Sequence, residues 1–472
     1  MQQNINSHSG IIISATHTSA GKSSFSIGLM RLLKRKSFDV QPFKVGPDYI
    51  DPGHHTIACG RPSYNLDSWM CSPNYIKVLF DEVMHPGRTA IVEGVMGLFD
   101  GAFAKKEKGT TGEISKLLNL PVILIVDGST SARSVAALVK GFIEFDPGIN
   151  FLGVIANRVN HPRHAKLIDD AITHYTSIRF LGYIPNDPEL AIPDRHLGLT
   201  QGLEQTDELY ERWADHIEKH VDLKFISRHL KKRKQKSATT LSPHPLRWRK
   251  APKEPFFSVG IARDKSFQFL YQDTLDLIRH FGGEIRFFSP INDSHLPSGI
   301  DWLYFPGGYP ELKLKELSQN KTLKSEIKRF GESGKVIIAE CGGMMYLGKS
   351  IISEKGKPHP MVGLFNFSTS LKNKTMTLGY RRLKLRDSSK EIKSAILMGH
   401  EFHYSTLVNN REKPIMIQKF PGKRPDIHDG YRRKNCIATY THIYWGNSKA
   451  WLKYILQLTA LQSDINLKTR KG

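Results

Sequence analysis

Short apolar runs recur through the first half of the chain, separated by stretches whose apolar residues fall three and four apart. The runs cover residues 10–16 (GIIISAT), 40–46 (VQPFKVG), 89–95 (TAIVEGV), 121–128 (PVILIVDG), 150–159 (NFLGVIANRV) and 179–185 (RFLGYIP). Runs so short and so continuous predict strands buried on both faces. Residues 23–36 (SSFSIGLMRLLKRK) have the amphipathic spacing of a helix packed against them. The pattern predicts a mostly parallel sheet with helices on both sides.

The same alternation restarts at FFSVGIA (256–262) and continues through EIRFFSP (284–290), DWLYFPGG (301–308) and GKVIIAEC (334–341). Between the halves, from about residue 224 to 255, apolar residues are scarce. Lys231, Lys232, Arg233, Lys234 and Lys236 are nearly contiguous there, and Arg247, Arg249, Lys250 and Lys253 follow. With no aromatic platform beyond Trp248, this reads as a solvated basic linker. The expected organisation is two α/β domains, at 1–222 and 256–472, joined by a linker at 223–255. No repeat of fixed short period is present.

A chain of 472 residues is long enough for full cores in two or three domains. With 39% hydrophobic and 24% charged residues it is globular, which excludes a largely disordered, collagen-like or multi-span membrane protein. The formal charge of +23 admits a nucleic-acid binder, an enzyme of a polyanionic substrate, or a basic proteome. Four cysteines with no C-x-x-C pair support neither a disulfide scaffold nor a structural zinc site. The N-terminus lacks the basic and apolar regions of a signal peptide, and no 18-residue apolar run follows. A soluble protein of a reducing cytoplasm is expected.

Residues 16–23 (THTSAGKS) satisfy G-x-x-x-x-G-K-[ST] except that Thr16 replaces the first glycine. Between a strand and a helix, backbone N–H groups around Gly21 can cradle phosphates, Lys22 can neutralise them, and the Ser23 hydroxyl can ligate Mg²⁺. Residues 43–55 (FKVGPDYIDPGHH) follow the second strand, at the end where parallel sheets bind ligands. There Lys44, Asp48 and Asp51 can hold metal–nucleotide and orient a carboxylate substrate. Glu93 ends the third run and is the candidate second handle on Mg²⁺, with Asp100 in the adjoining glycine-rich loop. His54 and His55 are given no catalytic role.

Cys341 falls between an apolar strand and two glycines, the pattern of a nucleophile elbow in which a helix N-terminus favours thiolate. Backbone N–H groups of Gly308 and Gly342 are the candidate oxyanion hole. For the base, spacing leaves His400 and His403 (GHEFHY, 399–404) in competition with His442, which sits near the end of a late strand. A thiol nucleophile in one domain and a Mg-nucleotide site in the other suggest that one releases ammonia from an amide while the other activates a carboxylate as an acyl phosphate.

Residues 44–55, 65–67, 93–101 (EGVMGLFDG) and 192–199 (IPDRHLGL) closely resemble the cobyrinic acid a,c-diamide synthase family. So do 262–264, 305–311 (FPGGYPE), 340–343 (ECGG), 378–381 and 399–405 (GHEFHYS). The resemblance implies a dethiobiotin-synthetase-like, P-loop NTPase-like domain followed by a flavodoxin-like class I glutamine amidotransferase domain. It implies amidation of the a and c acetates of a corrin precursor with two glutamines and two ATP with Mg²⁺. It makes Cys341 and His442 the glutaminase pair. Lys22, Ser23, Lys44, Asp48 and Glu93 become the nucleotide and metal site, with Tyr49, Asp51 and Asp100 near substrate.

The expected partners are a corrinoid, L-glutamine and ATP, with no nucleic acid and no membrane; a homodimer is left open. Two departures stand out. Tyr444 occupies the place, two residues after the base, where such amidotransferases carry Glu, leaving Glu401 as a distant candidate orienter. Thr274 stands where the family has Asn. The alternatives are diamidation of hydrogenobyrinate or nickel-sirohydrochlorin and, more distantly, a partition-type DNA-binding ATPase.

Overall fold

A computed structural model describes residues 8–190, 194–195, 198–199, 206–232, 252–373, 376–386, 395–420, 425–446 and 448–459. The chain divides into two compact units, Met1–Arg247 and Trp248–Gly472.

The first unit is built on seven strands: β1 (Ser9–Ala15), β2 (Asp39–Val45), β3 (Tyr64–Leu66), β4 (Arg88–Glu93), β5 (Val122–Asp127), β6 (Phe151–Asn157) and β7 (Phe180–Ile184). Their order is β3-β2-β4-β1-β5-β6-β7, and every neighbouring pair is parallel. Ile11, Ile13 and Ala15 point into one core with Leu29, Leu32 and Leu33 of helix α1 (Lys22–Arg35). Ile12, on the opposite face, is equally buried, and so is the small Ser14 two residues on, so the strand shows no exposed face. Helix α2 (Ile50–Cys59) follows β2. β3 is too short to announce itself as an apolar run.

The main sheet of the second unit has ten strands: β8 (Phe257–Ala262), β9 (Gly283–Phe288), β10 (Trp302–Phe305), β11 (Val336–Glu340), β12 (Thr377–Leu385), β13 (Ile396–His403), β14 (Pro414–Lys419), β15 (Ile427–Arg433), β16 (Cys436–Thr439) and β17 (His442–Ile443). The order is β9-β8-β10-β11-β16-β15-β14-β12-β13-β17. The first five are parallel. From β16 onward the sheet continues antiparallel, so it is mixed rather than mostly parallel. Leu303, Phe305, Ile337 and Ala339 enter one core, and Trp302, Tyr304, Val336 and Ile338 the other.

Residues at the head of the expected linker instead form the helix Leu223–Lys232, which buries Ile226 and Leu230 in the first unit's core. The rest of the basic stretch, 233–251, lies outside the described residues. Of the motif at 192–199, Asp194–Arg195 and Gly198–Leu199 pair as a small antiparallel ribbon; its other residues are likewise outside. All four cysteines are free and buried. Among the described residues no helix is long and apolar enough to cross a membrane.

Candidate active sites

In the first unit the neighbouring parallel strands bring the loops after β1, β2 and β4 together at the carboxyl end of the sheet. Ser19 and Gly21 take positive φ angles of 66° and 100°. A Cβ on Gly21 would stand 2.0 Å from Asn157 Nδ2, so both conformation and space require glycine there. The loop is stitched from behind by residues that sequence reasoning missed. Asn157 Nδ2 donates to the Ala20 carbonyl at 2.9 Å, and the Arg158 guanidinium to the Ser19 carbonyl at 2.7 Å while also pairing with Asp127. Asn65 Nδ2 braces the second loop by donating to the carbonyls of Gly46 and Asp48.

Ser23 Oγ donates to Glu93 Oε1 at 2.7 Å and lies 3.3 Å from Asp51 Oδ2. Lys44 Nζ donates to Asp51, to Glu93 Oε1 at 2.7 Å and to the Gly94 carbonyl at 3.1 Å. The second Glu93 oxygen is 2.7 Å from His55 Nε2, and His55 Nδ1 is 3.2 Å from Ser63 Oγ. His55 thus holds Glu93, whereas His54 turns away to Tyr210. Burial opposes the charge on Lys44, but Asp51 and Glu93 hold its pKa above the usual lysine range. Burial also works against the Asp51 carboxylate, and Lys44 keeps it well below the usual range. Lys22, buried and then repelled by Lys44, is lowered to about 8.

The sequence reading set Asp48 among the metal ligands and Asp51 with the substrate. Here it is Asp51 that touches Ser23; one Asp48 oxygen accepts the N–H groups of Ile50 and Asp51 at the start of α2, and the other lies 3.6 Å from Lys44 Nζ. Burial, and then the charge of Asp51, push the Asp48 carboxyl up to about 7. Asp100 accepts from the Gly97 N–H at 3.0 Å, closing its glycine turn, and acts on Lys22 through its charge. Tyr49 is half-buried just before α2. No group of three or more His, Cys, Asp or Glu side chains among the described residues could hold a metal alone. Ser23, Asp51 and Glu93 instead converge as oxygen donors, which suits a Mg²⁺ completed by water and nucleotide phosphates.

In the second unit Cys341 joins β11 to the short helix Gly342–Leu347 with φ 46° and ψ −106°. A non-glycine residue there stores roughly 1–3 kcal/mol of strain, and it is held on both sides. The Cys341 N–H donates to the Thr439 carbonyl at 2.8 Å, and the Cys341 carbonyl accepts from Met345 at 3.0 Å. The thiol lies 3.9 Å from the Phe402 carbonyl oxygen. A Cβ on Gly343 would stand 2.2 Å from the Phe305 carbonyl oxygen, and one on Gly342 would stand 3.0 Å from the Gly308 nitrogen. The elbow and the Pro-Gly-Gly loop therefore interlock backbone to backbone. Burial, and then Glu311, push the thiol well above the usual cysteine range. The expected thiolate bias does not prevail in the resting protein, because desolvation outweighs what one turn of helix and the Gly342 N–H supply.

His442 is fully buried on β17, opposite His400 of β13. The two rings stack with centroids 5.0 Å apart at 19°. Gly307, passed over in the sequence, lies against that imidazole: a Cβ there would be 2.1 Å from His442 Cε1. Burial, then His400 and His403, lower the His442 pKa well below normal and leave it neutral. His403 stacks instead on Tyr440 at 4.0 Å. Tyr444 donates its hydroxyl proton to Asp273, in the helix Gln272–His280 that also buries Thr274. Glu401 is held by Arg381 at 2.9 and 2.8 Å and lies 4.0 Å from His403 Nε2.

Residues 11–199 match the CobQ/CobB/MinD/ParA nucleotide binding domain, and residues 258–450 match the CobB/CobQ-like glutamine amidotransferase domain. The fold and these two sites define a glutamine-hydrolysing carbon–nitrogen ligase. The chain is 36% identical over 455 residues to the cobyrinate a,c-diamide synthase of Dehalococcoides mccartyi strain 195, covering 95% of this chain and 98% of that one. It is 38% identical to that of Listeria innocua (94% and 97% covered) and 34% identical to that of Salmonella typhimurium (95% and 98%). The chain belongs to the cobyrinate a,c-diamide synthase family.

Proposed function

We propose that the protein amidates the a and c acetate carboxylates of cobyrinic acid, through acyl phosphates, with ATP and with ammonia drawn from glutamine. The observation that carries this reading is the pairing, in one chain, of the strained Cys341 elbow with the Ser23–Lys44–Asp51–Glu93 cluster.

Neutral His442 takes the thiol proton as Cys341 Sγ attacks the glutamine carboxamide carbon, then returns it to the departing ammonia. Water hydrolyses the thioester to glutamate. The N–H groups of Gly308 and Gly342 hold the oxyanion at each stage. In the first unit a substrate carboxylate oxygen attacks the γ-phosphorus, ADP departs, and ammonia displaces phosphate from the acyl phosphate to give the amide. Lys22 and the backbone of residues 16–21 bind the phosphates. Lys44 fixes Asp51 and Glu93, with Asp48, Tyr49 and Asp100 lining the acyl-transfer side. Mg²⁺ held by Ser23, Asp51 and Glu93 would offset charge on the transferred phosphoryl group.

Mass spectrometry of cobyrinic acid incubated with the protein, ATP, Mg²⁺ and glutamine tests this. Two successive amide-forming shifts that need both ATP and glutamine are expected. Glutaminase activity without any shift would redirect the assignment to a related tetrapyrrole, and absence of both would sink it.

A further inference from the structure

Beside the Cys341–His442 site, five polar side chains bury one another: Arg381, Glu401, Gln418, Asp429 and Thr441, none more than 5% exposed. Gln418 Nε2 reaches both carboxylates, Glu401 and Asp429, and lies 2.8 Å from Thr441 Oγ1. Thr441 Oγ1 donates to Glu401 Oε1 at 3.2 Å, and Arg381 clamps the other Glu401 oxygen. Asp429 accepts from the Thr439 hydroxyl at 2.5 Å and from the Tyr440 N–H at 3.2 Å. Burial, and then the nearby Glu401 charge, push the Asp429 carboxyl above its ordinary range.

The cluster grips three consecutive residues, Thr439, Tyr440 and Thr441. Thr439 supplies the carbonyl that fixes the Cys341 N–H, and Thr441 immediately precedes His442. An apolar core of the same volume would stabilise the fold as well as a buried ion pair does. What a fully satisfied polar network adds is a single register. In this chain the position two residues beyond the base holds Tyr444, whose hydroxyl is committed to Asp273.

We propose that Gln418, Thr441 and Asp429, anchored through Glu401 to Arg381, are positioning residues for glutamine hydrolysis, setting the main chain from Thr439 to His442 so that the imidazole faces Cys341. This inference rests on the glutaminase reading of the site.

The test uses the full-length protein, with Thr441→Val to preserve side-chain shape and Gln418→Met as a second probe of comparable volume. Both are expected to lower kcat for glutamine hydrolysis about tenfold or more with KM for glutamine changed less than about twofold, while ammonia-supported amidation is unaffected. Thr441→Ser should restore kcat. The proposal is overturned if both variants hydrolyse glutamine like the wild type, if ammonia-supported turnover falls in parallel, or if Thr441→Ser fails to rescue. A wild-type protein without glutaminase activity would overturn the functional reading itself, and the wild-type control separates that outcome from the others.

Discussion

The Ser23 hydroxyl donates to a carboxylate oxygen of Glu93 at 2.7 Å, and Lys44 Nζ lies at the same distance from that oxygen. A single oxygen thus joins the helix after β1, the end of β2 and the end of β4. Lys44→Met would leave Glu93 and Asp51 as buried like charges without their cation. Removing one partner of a buried pair costs about 3–5 kcal/mol, and urea unfolding of the variant should show a loss of that order. Wild-type stability in Lys44→Met would mean the pair is not buried as described.

Lys22 offers a pH signature. Its pKa of about 8 lies below the 10.5 of an unperturbed lysine, and a bound phosphate restores the proton. Nucleotide binding near pH 8 should therefore take up protons, read as a buffer-dependent binding enthalpy, and take up almost none near pH 6. Between about 8 and 10.5 the unfolded chain holds more protons on this lysine than the folded one, so its contribution to stability rises with pH across that window. Equal heats in buffers of different ionisation enthalpy near pH 8 would contradict the assignment.

Cys341→Ala should abolish glutamine use yet keep free ammonia as a nitrogen source, because only the ammonia supply is lost. Lys22→Ala or Asp48→Asn should stop amidation from either source. Steady-state product formation with each nitrogen donor distinguishes the two classes. Loss of ammonia-supported turnover in a folded Cys341→Ala protein would refute the division of labour.

Glu311 helps push the Cys341 thiol upward. In Glu311→Gln that repulsion is gone, so a larger thiolate fraction exists at any given pH. Alkylation of Cys341 by iodoacetamide, followed by peptide mass spectrometry, should be several-fold faster at pH 8 than in the wild type. An unchanged rate would show that Glu311 does not act on the thiol.

The parallel strands were legible because both their faces are buried; Ile11, Ile12 and Ile13 need no polar partner in the pattern. The late antiparallel strands hid in ordinary alternation: along β12, Leu383 and Leu385 are buried while Arg382 and Lys384 face outward. The Cys341 elbow could be read locally, since its steric demands fall on the next two residues. His55 could not be told from His54 until the fold placed Glu93, 38 positions away, against one ring alone. The stitches from Asn157 and Arg158, like the Arg381–Glu401–Gln418–Asp429 cluster, join residues too distant for any spacing rule to connect.

The stitched loop also bears on the thermodynamics of nucleotide recognition. Confining one residue's backbone costs about 1–2 kcal/mol, and a loose phosphate loop would subtract that cost from the affinity for each residue it had to order. Asn157 and Arg158 hold Ala20 and Ser19 in place before any phosphate arrives. The ordering of these residues is completed during folding, so a nucleotide binding at this loop would spend little of its affinity on arranging them.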